Sequence, residues 1–551
     1  MARLLILIVM FSCRATAGHI EKLPDGLIVF LKQPPSGGAR QVKLQVVSEK
    51  IIHVTASAED TFSQTPSLMV VTSGVPGVKW ESLERPDEVV LKTAVLSASV
   101  QLSSGIVTFR DAAGNILLKE AAKSFKPVEF GGKDLYQVKQ SFLSPENEAF
   151  YGLGQPQTGL INYKDKDVDL TQYNAIAAVP FLVSSRNYGI LWDNYSITKF
   201  GDDRAPRPIG ELGALTADYS VNGKVHTSRP EQQIDYTYIA SLDALPAGFP
   251  LDKGKVTWEG VLKPQENGRY KFYTTSSGYI KIWVDGQLRL DRWRESWNPG
   301  PSIIEQSFTA NTPHQLKIEW IPESAQSFFS FKWLGPSRDL KDKMSLSSEA
   351  AEKIDYYFVY GKQLDEVISG YRTLTGKASL LPQWALGFWQ SRERYKTQAE
   401  ILQTVKTFRD KKIPLDNIVL DWSYWKEDAW GSQEFDEKRF PDAKGMIDQL
   451  HRQYNTHFMI SVWPKFYEGI SNYKKFEDKG WLYKQNIADR QRDWIGKGYV
   501  STFYDAYHPG ARSLFWQLMN EHLFSKGVDA WWLDASEPDI YSNSSIEHRK
   551  S

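Results

Sequence analysis

Cysteine is almost absent from this chain: of its 551 residues, Cys13 is the only one. A disulfide framework is therefore excluded, and stability must come from packing, which a chain of this length can supply across several domains. Excess charge of either sign is also missing. Lys plus Arg and Asp plus Glu number 66 each, with no long run of one sign, so neither nucleic acid nor an anionic membrane is favoured as a partner. Beyond the first residues no apolar run approaches the length of a membrane span. No tight acidic cluster suggests a metal site, and neither a metal nor a cofactor is expected.

The opening stretch reads as a targeting segment. Arg3 supplies a positive start, Leu4–Phe11 an uninterrupted apolar run, and Ala15-Thr16-Ala17 small residues for cleavage near Gly18, the three parts of a secretory signal. Residues 1–17 are set aside as that signal, and the expected location is periplasmic or extracellular. Cleavage there removes the only cysteine. A lipoprotein leader acylated at Cys13 is the alternative, with Met10-Phe11-Ser12 an imperfect lead-in.

Aromatic residues are abundant. They make up 13% of the chain, with 19 Trp and 26 Tyr, which is more amphipathic ring surface than a core needs. Sugar rings are one partner for such surfaces, although most of the individual tryptophans read as core.

From residue 18 to about 228 the pattern is all-β. Alternation in Gln41–Val47, Ile51–Ala56, Glu88–Lys92, Ala98–Leu102 and Ile106–Arg110, broken by turns such as Ala112-Ala113-Gly114-Asn115, predicts a β-sandwich. Val179–Ser184 and Tyr188–Asn194 read as a hairpin that leaves Asp193 at its end, either as turn chemistry or as a ligand contact. A second β unit is expected over 229–340, centred on the alternating run Gly278–Trp293 with its Asp285-Gly286 turn. Lys353–Val359 returns to a β pattern and Leu364–Thr375 reads as a helix, so 341–378 should complete the first sandwich and lead onward.

From 379 the periodicity alternates between strand and helix, which demands a parallel sheet. The strands expected are Trp384–Gln390, Asn417–Asp421, Phe458–Trp463 and Ala530–Asp534; the helices are Thr397–Asp410, Asp442–Tyr454 and Ala511–Ser525. Gln390, Asp421, Trp463 and Asp534 each close a strand and open a loop rich in Trp, Tyr, Arg and acids. Trp531, Trp532 and Leu533 read as the buried end of the last strand, with Asp534 and Glu537 at its mouth. On that stretch alone Asp534 is either a cap for the next turn or a reactive carboxylate. Several polar strand ends in register favour a site on the top face of a β/α barrel.

These residues carry two resemblances. The Gly278–Trp293 hairpin resembles the centre of the protective-antigen type of carbohydrate-binding domain, PA14. Trp531-Trp532-Leu533-Asp534-Ala535-Ser536-Glu537-Pro538 is similar to the nucleophile signature of glycoside hydrolase family 31. Trp384–Arg392, Asn417–Trp425, Ile460–Pro464 and Phe150–Gly154 resemble that family's first three barrel strands and its amino-terminal sandwich.

The resemblance implies an amino-terminal β-sandwich, an inserted PA14 β-sandwich and the first half of a (β/α)8 barrel over 379–551, with the remaining strands expected beyond Ser551. It implies retaining hydrolysis of a terminal α-linked sugar, most closely α-xylose from xyloglucan oligosaccharides; α-glucosidase or transglucosidase activity is a close variant, and a non-catalytic carbohydrate-binding fragment the other alternative. In the roles it implies, Asp534 is the nucleophile and Glu537 orients it or stabilises the turn. Asp421 holds sugar hydroxyls and Trp463 forms an apolar wall, with Lys465, Arg392 and Asp193 near the pocket.

Overall fold

The computed structural model describes residues 19–534 apart from 33, 73, 76, 173–175, 297, 489, 491 and 493–497. The expected leader, Cys13 and Glu537 lie outside the described residues. The chain divides into two compact units, one reaching Ala378 and the other beginning at Ser379.

In the first unit, alternation sorts side chains to one face of each strand. Val42, Leu44 and Val46 of Gln41–Ser48 turn inward together, as the two-residue period of a strand requires. An eight-stranded and a nine-stranded antiparallel sheet enclose the resulting core. Across it, Phe109 stacks on Phe358 with ring centroids 4.0 Å apart. Strands distant in sequence complete both sheets: Lys343–Ala351 pairs with Lys133–Leu143, and Ile354–Tyr360 lies between Ile51–Ser57 and Tyr188–Trp192. The helix Leu364–Thr375 follows and buries Val367 and Leu374 against Phe181 and Val359.

Between those strands the chain builds a five-stranded and a six-stranded sheet around Trp258, Trp320, Phe272 and Phe331. The hairpin Gly278–Val284 to Gln287–Arg294 turns through Asp285 and Gly286, both at positive φ (51° and 74°), which is the twist a two-residue hairpin needs. These sheets include Leu215–Val221 and Lys224–Glu231, and Arg207–Pro208 pairs into them as well. The inserted region therefore begins well before the change in composition at 228. Leu215–Val221 finds its partner in Gly254–Leu262, a pairing that local composition does not reveal. Asp167 ties the sandwich to the insertion by accepting from the Tyr273 hydroxyl at 2.8 Å and pairing with Lys271.

Glu231 is the polar centre of the insertion. Its buried carboxylate accepts from the hydroxyls of Tyr219 and Tyr236, from Arg229 Nε and from Trp258 Nε1. Glu231→Leu strands those donors and the Arg229 charge, so a loss of about 3–5 kcal/mol is expected, read from urea unfolding followed by tryptophan fluorescence.

The second unit carries a four-stranded parallel sheet in the order Trp389–Gln390, Asn417–Leu420, His457–Val462, Ala530–Leu533. Helices Gln398–Asp410, Ala443–Arg452 and Pro509–His522 lie in the connections. Thr397 and Asp442 cap the first two by accepting from Glu400 N–H and Gly445 N–H, the usual remedy for open amides at a helix start. Ile401, Val405, Ile447 and Leu450 from these helices meet Ile418, Leu420, Phe458 and Ile460 from the strands.

Two expectations change here. The run Trp384–Gln390 is mostly not strand: Gln383–Leu386 forms a 3-10 turn and only Trp389–Gln390 pairs. Side chains replace ladder bonds there, with Asn417 Nδ2 donating to Trp384 O and the Asp416 carboxylate accepting from Phe388 N–H. The strand Ala530–Leu533 is also not buried. Trp532 is 39% and Leu533 61% exposed, because among the described residues this strand has a neighbour on one side only.

Candidate active site

Parallel strands bring their carboxyl ends to one edge of a sheet, and the loops that follow converge there. Strand register does this for three of the expected residues. Leu420 pairs with Ile460 and Val462 with Leu533, so Asp421, Trp463 and Asp534 each stand one residue past their strand. Asp534 N–H still donates to Val462 O at 3.0 Å, which fixes its backbone to the ladder while its side chain begins the loop.

The electrostatics show which charges meet. Burial pushes the Asp421 carboxyl above its ordinary value; the Trp422 N–H opposes this, the charges of Asp534 and Glu393 push in the same direction as burial, and Arg394 opposes them. Strand order sets Asp421 and Asp534 at one edge of the sheet, on either side of the strand that ends at Trp463, and the charges of Asp534, Glu393 and Arg394 all reach Asp421. The Trp422 N–H donates to Asp421 Oδ1 at 2.7 Å and holds that carboxylate in place.

An aromatic wall adjoins the acids. Trp430 is buried and gathers Trp422 (5.6 Å, stacked), Trp425 (4.9 Å) and Trp463 (4.8 Å, edge-on). Lys465 is buried with its ammonium 4.1 Å from the Trp430 ring centre and 5.1 Å from that of Trp463, a cation–π arrangement that suits a desolvated charge. The Arg394 guanidinium lies 4.1 Å over Trp422. Polar groups that accept and donate to hydroxyls thus stand beside flat rings that can face the apolar side of a sugar.

The Glycosyl hydrolases family 31 TIM-barrel domain model matches residues 378–551, and the Glycosyl hydrolase 31 N-terminal galactose mutarotase-like domain model matches 41–200. The chain belongs to glycosyl hydrolase family 31. A PA14 domain model matches 217–344 of this family 31 chain. The chain is similar to the GH31 α-xylosidase of Xanthomonas citri, at 43% identity and a TM-score of 0.89 over 96% of this chain and 59% of that one. It is 28% identical to an α-xylosidase of Saccharolobus solfataricus over 91% of this chain and 49% of the relative. A GH31 α-xylosidase from a soil metagenome, solved with xylose, shares the fold at 20% identity and a TM-score of 0.61 over 96% of this chain and 59% of that one. The family 31 chain spans about half the length of the curated relatives it matches.

Of the residues singled out in the sequence, the strand ends unite Asp421 and Asp534, and Trp430 links Trp463 and Lys465 to the Trp422 beside them. Arg392 is exposed, with its guanidinium 5.3 Å over Tyr395. Arg394 instead lies over Trp422, where its charge opposes the rise of the Asp421 carboxyl. Asp193 belongs to the first unit, where its N–H donates to Asp355 O at 3.0 Å. Burial pushes its carboxyl up, opposed by a hydrogen bond from Ser67. Sequence reasoning missed Glu393, Arg394 and Trp430. The loops that hold them were recognisable as polar and aromatic, but nothing in the sequence says which residue of a run such as Arg392-Glu393-Arg394 turns toward a neighbouring strand.

Proposed function

We propose that this chain carries the sugar-binding and nucleophile side of an exported retaining α-glycosidase that removes terminal α-xylose from xyloglucan-type oligosaccharides. The observation that carries the reading is the placing of Asp534 and a partly buried Asp421 at the same edge of the sheet, on the two strands that flank the one ending at Trp463, backed by the Trp422–Trp430–Trp463 wall.

In this reading Asp534 attacks the anomeric carbon and expels the leaving oxygen, forming a glycosyl-enzyme that water then opens. A second carboxyl about 5 Å away protonates that oxygen and later takes a proton from the water. Asp421 accepts hydrogen bonds from sugar hydroxyls, Trp463 lies against the ring, and Lys465 keeps the local potential positive. Glu537 orients Asp534 or stabilises its turn. The similarity to α-xylosidases and the inserted PA14 region support xylose over glucose as the sugar removed; α-glucosidase or transglucosidase activity would use the same residues.

A second reading rests on the exposed edge at Trp532 and Leu533: among the described residues the sheet has four parallel strands against the eight of a closed barrel, and on this reading the chain binds sugar without cleaving it. The test assays aryl α-xyloside and aryl α-glucoside hydrolysis by this chain and by one extended through the DNA that follows codon 551. Faster release from the xyloside by either form is the expected result. Equal or faster release from the glucoside overturns the xylose assignment, and no turnover by either form overturns the hydrolase.

A further inference from the structure

The other ends of the same strands carry a second group of polar side chains, unrelated to sugar binding. His451 lies in the last turn of the helix Ala443–Arg452, His457 opens the strand His457–Val462, and Asp529 directly precedes the strand Ala530–Leu533. Asp529 and Asp534 bracket one strand, so at ~3.3 Å per residue the two groups stand about 17 Å apart. One donor atom from each of His451, His457 and Asp529 lies within 4.8 Å of the other two.

The group is held ready by its surroundings. Asp529 Oδ2 accepts from Phe458 N–H at 2.8 Å and sits 2.7 Å from His451 Nε2. The His457 ring is clamped flat against Trp384, with centroids 4.2 Å apart. Its Nδ1 is 3.3 Å from Asp529 Oδ1, yet it is sealed from solvent and makes no hydrogen bond. A buried ring nitrogen without a hydrogen bond thus stands beside a carboxylate and a second imidazole, which together are the donor set of a cation.

We propose that His451, His457 and Asp529 bind a zinc-class transition-metal ion. Two imidazoles and one carboxylate suit Zn²⁺ and its neighbours, whereas Mg²⁺ and Ca²⁺ prefer oxygen ligands throughout. Metal–donor bonds of about 2.0–2.1 Å place tetrahedral ligands roughly 3.3 Å apart, so small side-chain rotations close the site. Water fills the fourth position. The ion joins a helix end, an inner strand and the exposed strand Ala530–Leu533, so its binding adds to the stability of the second unit.

The test uses the whole chain, stripped with a chelator and titrated with Co²⁺ and then Zn²⁺. The expected result is the intense visible absorption of a tetrahedral cobalt site that saturates at one ion per chain and is displaced by Zn²⁺, with a raised Tm. His451→Gln and His457→Gln each weaken Zn²⁺ binding about tenfold or more, and His522→Gln, at the end of another helix, leaves it unchanged. His451 is partly exposed, so His451→Gln keeps the fold, which circular dichroism verifies. Absence of the cobalt bands, or the same Zn²⁺ affinity in both histidine variants as in the parent, overturns the site.

Discussion

Asp534→Ala is expected to lower kcat on an aryl α-xyloside by about 10⁴-fold or more in whichever form of the polypeptide shows turnover. In the proposed mechanism this carboxylate is the group that bonds to C1, so its removal eliminates the covalent route rather than weakening a contact. The fold should survive, because the backbone of Asp534 is held by its N–H to Val462 O, a bond that alanine keeps. Added azide separates a lost nucleophile from a lost structure. In the space left by the carboxylate it attacks C1, expels the aryl oxide and yields the glycosyl azide of inverted configuration. Recovery of turnover with that product identifies Asp534 as the nucleophile. Activity within tenfold of the parent, or a loss that azide leaves untouched in a folded variant, assigns the attack to another residue.

The parts of this molecule set by short-range pattern were legible in the sequence, and the parts set by distant pairing were not. Alternation located Gln41–Ser48 and Ile51–Ser57, and Asp285-Gly286 announced its hairpin, because each depends on neighbouring residues only. Helix Gln398–Asp410 showed itself through its apolar spacing, with Thr397 read as its first residue where the structure makes it the cap. By contrast, Leu215–Val221 joins the inserted sheets through a partner some way along the chain, whereas the expected boundary at 228 kept it with the first sandwich. Trp384–Gln390 looked like strand because it is apolar, but Asn417 and Asp416 reach back and hold its backbone in a turn.

The same contrast runs through the site. Asp421 and Asp534 were readable because each ends an apolar run. Arg394 was not, since its place over Trp422 depends on how its loop crosses that ring. The proposed metal ligands were out of reach for a related reason. His451, His457 and Asp529 are scattered over three elements, and no local spacing connects them.

Asp421→Asn is expected to move activity and stability in opposite directions. A charged acceptor bonded to a sugar hydroxyl contributes about 1.5–3 kcal/mol, so kcat/KM should fall by about 10- to 100-fold. Stability should rise at neutral pH. The Asp421 carboxyl is pushed above its ordinary value, first by burial and then by the charges of Asp534 and Glu393. Between the unfolded and folded values the native state therefore holds more protons than the unfolded chain. Stability falls as pH rises through that window, and the penalty is complete above it. Asparagine carries no charge and escapes the penalty, so its Tm should exceed that of the parent at pH 7 and converge with it below the ordinary carboxylate range. The raised value also places the acid limb of kcat/KM higher than an ordinary aspartate would, and the variant should lose that contribution to the limb. A Tm gain that persists unchanged into acid would trace the effect to packing, and a Tm loss at pH 7 would mean that the Asp421 charge is matched by a partner that stabilises it.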